Sequence, residues 1–128
     1  MDFDFNSNIP LYQQISSQIE EGILRGSFGI GEQIPSTTEI SKAYNINPAT
    51  VLKGMNLLVA DNILEKKRGI GMFVTSSGSD TIYQKRRNQF IQHDINKLIT
   101  EAKRLGLERQ ELINLIERGF DNDQIRNS

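Results

Sequence analysis

Two helix starts lie close together near the middle of the chain, and they fix most of what it can fold into. Ser36-Thr37-Thr38-Glu39 is a capping-box pattern, in which the serine hydroxyl caps the amide of Glu39 while the glutamate side chain reaches back. Asn47-Pro48 is a second start: a good cap, then the residue best suited to a first helical position. Asn45 separates them, and asparagine is one of the few residues besides glycine that tolerates the left-handed backbone a tight interhelical turn demands. The spacing predicts a short helix from about Thr37 to Tyr44 and another from about Pro48 to Asp61. On the second, Val51, Met55 and Leu58 fall on one side and Ala49, Lys53 and Asn56 on the other.

The flanking segments complete a pattern. After Pro10, the residues Leu11, Ile15, Ile19 and Ile23 recur at a four-residue step, the apolar stripe of a helix that ends near Gly26. The glycine-rich run at 29–35 reads as a turn holding one or two extended residues. Past Asp61, two short β-prone runs flank Arg68-Gly69-Ile70-Gly71, a hairpin with Gly69 and Gly71 in its turn. Helix, helix–turn–helix and hairpin in that order make a winged helix–turn–helix, mainly α with a small β wing. Such a fold presents its third helix to a DNA major groove, which is about 12 Å wide, and its hairpin to the flanking backbone or minor groove.

Ser76 to Asp80 is a polar join, dividing a winged-helix domain at 1–76 from a helical region at 77–128. There Ile91, Ile95, Leu98, Ala102 and Leu105 form a heptad-like seam on a helix that Gly106 breaks. A second helix carries Leu112, Ile113 and Ile116 on one face and ends at Gly119. Two such helices cannot bury their stripes alone, so they are expected to pack against each other and against a second copy of the chain. The tail from Asp121 is polar and expected to fray, and Phe3 and Phe5 suggest a short strand or a packed arm.

Composition narrows the chemistry. The chain has 128 residues, enough for one small domain with a helical appendage. It lacks cysteine and has a single histidine, His93, expected to be an exposed helix residue and not a ligand; no cofactor is expected. No nucleophile, base and orienter set and no phosphate loop supports an enzyme. Without a leader or a long apolar run, the chain reads as cytoplasmic, with no membrane partner. Net charge is −1, so positive charge must be local, and it clusters at 66–68 and 85–87. The second cluster is expected to decorate a helix, although it could reach DNA flanks.

The segment from Ile9 to Val74 resembles the winged-helix domain of GntR-type bacterial transcription regulators. The "PLYxQI"-like start, the "G-E-x-x-P-S" turn, "E-I-S-x-x-Y-N-I-N-P-x-T-V" and "R-G-x-G-x-F-V" stand here in the family's order. The short two-helix C-terminal part looks like the YtrA-type branch, where it is understood as a dimerisation unit. The resemblance implies a repressor or regulator that binds an inverted-repeat operator as a homodimer, often near transporter genes. Where relatives commonly carry arginines toward DNA, this chain has Thr38, Pro48 and Leu52.

Candidate roles follow from residue type. Lys67 and Arg68 suit phosphates, with the Gly69 and Gly71 amides free to approach a phosphate or the minor groove. Ala49, Thr50 and Lys53 suit base edges, with Asn56 as an outer member, and Asn47 and Pro48 at the helix start are counted with them as DNA-binding candidates. Ser36, Thr37 and Thr38 stand at a helix N-terminus that favours an anion. Capping alone is the competing role for Ser36 and Thr50, and ordinary solvent exposure for Lys53. The pairing residues are Ile91, Ile95, Leu98, Ala102, Leu105, Leu112 and Ile116. A winged-helix protein–protein adaptor is the alternative to a DNA-binding regulator, and a small-molecule effector is left open.

Overall fold

The computed structural model describes residues 1–122, which divide into two compact units, Met1–Lys85 and the residues from Arg86 onward. The first unit contains α1 (Leu11–Leu24), α2 (Thr37–Tyr44), α3 (Pro48–Ala60), β1 (Leu64–Lys67) and β2 (Gly71–Val74). It also holds most of α4 (Gly78–Gln89). The elements expected from the sequence form, and α3 stops within a residue of the expected end.

The helices form for local reasons. In α2 both halves of the capping box are present: Glu39 N donates to Ser36 Oγ at 3.0 Å, and Ser36 N donates to Glu39 Oε1 at 3.1 Å. Asn45 takes the left-handed conformation at φ 54° and ψ 49°, ending α2 and turning the chain toward Asn47. α1 and α3 end alike, each through a left-handed residue, Gly26 or Asn62. The next amide then reaches back to the helix, Ser27 N to Gly22 O at 2.8 Å and Ile63 N to Leu58 O at 2.9 Å.

Ile15 and Ile19 of α1 meet Val51, Met55 and Leu58 of α3 in the core, joined by Ile40, Ile63, Leu64 and Ile82. Each such side chain contributes roughly 1.5–3 kcal/mol by leaving water. α1 and α3 approach closely at Gly54, where an added Cβ would lie 2.6 Å from the Tyr12 carbonyl oxygen. The buried Ser16 hydroxyl donates to the Gly54 carbonyl at 2.6 Å across the same contact.

The hairpin pairs Leu64 with Val74, Glu65 with Phe73, Lys66 with Met72 and Lys67 with Gly71, antiparallel. The glycine-rich run supplies its extended residues along β2, with Ile34 N donating to Met72 O and Val74 N to Glu32 O, each at 3.0 Å. The N-terminus is a packed arm without a strand. Gln14 clamps it, accepting from Asp4 N and donating to the Asp4 and Ile9 carbonyls, while the Phe3 ring stands edge-on to Tyr44 at 5.1 Å.

The polar join at 76–80 is not an open linker. Gly78 is buried and begins α4, and the first unit continues to Lys85 because Ile82 is fully enclosed by the core. In the second unit the expected single helix contains a π-helical turn, Phe90–Asp94, before α5 (Ile95–Arg104), with Ile95 N donating to Phe90 O. Gly106, at φ 76°, ends α5, and Leu107 N donates back to Ala102 O at 2.9 Å. α6 (Arg109–Asp121) runs through Gly119, which does not stop it. Of the fraying expected from Asp121, residues 123–128 lie outside the described residues. His93 is exposed within the π-helical turn. No helix among the described residues is long and apolar enough to cross a membrane.

The expected seam is redistributed. Ile95, Leu98, Ala102, Leu112 and Ile116 line one groove between α5 and α6, together with Ile99 and Ile113. Ile91 and Leu105 lie outside that lining, the latter 75% exposed at the position that caps α5.

Candidate nucleic-acid interface

α3 begins with the cap expected from the sequence. Asn47 Oδ1 accepts from Ala49 N at 2.8 Å, and Pro48 follows at a position whose missing amide costs nothing. Ala49, Lys53 and Asn56 are exposed on the outer face, and Thr50 is half-buried at its edge. Leu52 and Leu57, which the sequence reading did not nominate, complete a shallow apolar hollow among Ala49, Lys53 and Asn56. Lys53 leans toward α1, with Nζ 4.0 Å from the centre of the Tyr12 ring.

At the start of α2 the three nominated hydroxyls have different surroundings. Ser36 is committed to the capping box, and the Glu39 carboxylate lies against its amide, where a phosphate would otherwise be favoured. Thr37 turns inward and donates to Met55 Sδ at 3.5 Å. Thr38 is exposed.

The wing carries charge and an apolar tip. Lys67 Nζ lies 4.5 Å from the centre of the Phe73 ring, a contact that fixes the ammonium without neutralising it. Arg68 and Gly69 are exposed, and Ile70 is 65% exposed between the two turn glycines. Gln33 Nε2 donates to the Ile70 carbonyl at 2.9 Å and props the turn from the neighbouring extended segment. Gly71, at φ 148°, lies so close to Gln33 that a Cβ there would collide with its amide nitrogen.

These pieces converge in part, with Ala49, Lys53 and Asn56 left to their own hollow. Ser36, Thr37 and Thr38, Leu52 and Met55 of α3, and the wing residues Lys66, Lys67, Gly69 and Gly71 line one open groove of about 310 Å³. Arg68 is not part of its lining.

The basic cluster at 85–87 is not simple decoration. Lys85 Nζ bonds Glu20 Oε2 at 2.8 Å and Asp61 Oδ2 at 3.1 Å, tying α4 to α1 and to the end of α3. Burial works against its charge, but the hydrogen bonds with Glu20 and Asp61 outweigh it and hold its pKa above the ordinary lysine value.

Sequence reasoning missed Tyr12, Gln33 and Ile70, and marked Leu52 only as a position where relatives carry arginine. Tyr12 stands three positions before Ile15, so the α1 stripe places it at the rim of the α1–α3 contact; no local pattern marks Gln33, whose partner is far away in sequence.

A family model for bacterial regulatory proteins of the gntR family matches residues 11–74. The HTH-type transcriptional repressor YtrA of Bacillus subtilis is 30% identical over 85% of this chain and 83% of its own length. A GntR-family putative transcriptional regulator from Bacteroides thetaiotaomicron has a similar structure, with TM-score 0.73 and 28% identity, over 92% of this chain and 99% of that one. YtrA from Sulfolobus acidocaldarius, a GntR-family transcription factor, has TM-score 0.57 and 27% identity over 95% and 97% of the two chains.

Proposed function

Because this chain belongs to the GntR family of DNA-binding transcription regulators, we propose that it acts in the cytoplasm as a repressor, binding an inverted-repeat operator as a homodimer. One arrangement carries this reading: the start of α2, Leu52 and Met55 of α3 and the basic wing border a single groove, and Leu52 also borders the hollow that holds Ala49, Lys53 and Asn56 on the outer face of α3. The similarity to a Bacillus subtilis repressor over most of both chains supports the regulatory sign. The apolar groove between α5 and α6 supports pairing through the second unit, which begins at Arg86, with the first unit kept for DNA.

In this reading Lys67 and Arg68 meet phosphates, with Thr38 and the amides of Gly69 and Gly71 beside them. Ala49, Thr50 and Lys53 read base edges, and Asn56 lies at the margin. Ser36, Asn47 and Pro48 hold the helix starts in place, and Thr37 braces α2 against α3. Phosphate contacts release counterions, so they weaken steeply with salt, whereas base contacts distinguish one sequence from another.

A salt titration on a duplex enriched by the protein from a random pool tests the assignment. Affinity should fall steeply from low to physiological salt, and Arg68→Ala should flatten that dependence by about one unit of slope. Binding indifferent to both changes would refute the DNA reading and favour a protein–protein adaptor.

A further inference from the structure

We infer that Tyr12, on α1, is a positioning residue for Lys53 and through it a determinant of base selectivity; the inference rests on the DNA-binding reading above. A lysine on an exposed helix face ordinarily samples many rotamers, and fixing it for one acceptor forfeits that freedom. Here the ammonium is already placed, 4.0 Å from the Tyr12 ring centre. Among the described residues it forms no ion pair, so its charge is oriented by the ring and not neutralised. The ring takes up one side of the ammonium, leaving N–H donors on the other for guanine O6 and N7.

Tyr12 can serve as a fixed mount because its backbone is registered against α3 at the next residue along. Gly54 admits the Tyr12 carbonyl where any Cβ would be 2.6 Å away, and the Ser16 hydroxyl bonds the Gly54 carbonyl at 2.6 Å one turn further along α1. Gln13 Nε2 also donates to the Tyr12 hydroxyl at 3.3 Å. Selectivity at Lys53 is therefore set partly by a helix that carries none of the proposed base contacts.

The test uses the full chain, with affinities for a duplex enriched from a random pool by the unmodified protein and for a scrambled duplex at one salt concentration. Tyr12→Leu should narrow the ratio of the two affinities about threefold, and should narrow it no further in a Lys53→Ala background. Tyr12→Phe, which keeps the ring, should retain the ratio. Proton NMR of the unmodified protein should show the Lys53 ε-methylene shifted upfield by the ring, a readout that needs neither DNA nor a variant. Unshifted protons would overturn the inference, as would a ratio that Tyr12→Leu leaves intact or lowers equally without Lys53. So would a rise in affinity on Tyr12→Leu, which would mean the ring withholds the lysine. A protein that enriches no sequence, or whose ratio Lys53→Ala leaves unchanged, would instead defeat the reading of Lys53 as a base contact, and this inference with it.

Discussion

Gly54 has no side chain because there is no room for one. Its Cα faces the Tyr12 carbonyl and the Ile15 side chain, and a Cβ would stand 2.6 Å and 3.0 Å from them. Alanine ordinarily stabilises a helix interior by roughly 0.8–1 kcal/mol over glycine. Here the steric cost should win, because the nearest atom is backbone that cannot swing aside. We expect Gly54→Ala to destabilise the chain by about 1–2 kcal/mol in urea unfolding, after helix propensity is offset; a stabilised variant would show that α1 and α3 can separate freely. At Asn45, by contrast, a single residue type anticipated the observed left-handed turn, because the requirement lies within its own backbone.

At the scale of elements, α4 is held to the first unit by a charged tie and an enclosed isoleucine. The Glu20 side chain is 6% exposed, so removing the Lys85 ammonium takes away a favourable partner from a carboxylate with little access to water. Lys85→Met should cost about 1–2 kcal/mol, less than a fully buried pair because Lys85 itself is partly solvated. The pH dependence has a definite sign. A lysine pKa raised by folding contributes stability that is fully present below its ordinary value of 10.5 and is lost as pH climbs through the raised value. The stability gap between the native chain and Lys85→Met should therefore shrink above about pH 10.5, and a gap that instead widened there would contradict the tie. This tie was invisible in the sequence, where Lys85 reads as one of three consecutive basic residues. Its partners come from two other helices, and no periodicity connects them. The capping box, the hairpin glycines and the α1 stripe were legible because each is a short-range demand of backbone geometry or of a repeating apolar face. The π-helical turn at Phe90–Asp94 lacked any such mark, and it holds Ile91, while Leu105 leaves the groove because α5 ends at Arg104.

For the whole molecule, the second unit presents a long apolar surface for its size. Among its described residues only Ala102 is buried, while Leu98, Ile99, Ile113 and Ile116 remain substantially open to solvent. Pairing of two chains through this groove would cover that surface and bring two reading helices to one operator. Replacing Ile95 and Leu98 together by Asp should give monomers in analytical ultracentrifugation, with weak operator affinity; a dimer that survived would place the pairing surface elsewhere. The candidate DNA site was only partly legible. Its helix starts and wing announced themselves, but the convergence of Thr38, Leu52 and Lys67 on one groove depends on packing between segments distant in sequence.

The capping box has a kinetic consequence. Glu39 and Ser36 satisfy the start of α2 from within the chain, and Gln33 likewise steadies the wing turn without outside help. The start of α2 and the wing turn then need no ordering upon arrival, so little ordering entropy is charged against the encounter there. Association would be governed by diffusion and local charge, and the difference between a right and a wrong sequence would appear mainly as residence time.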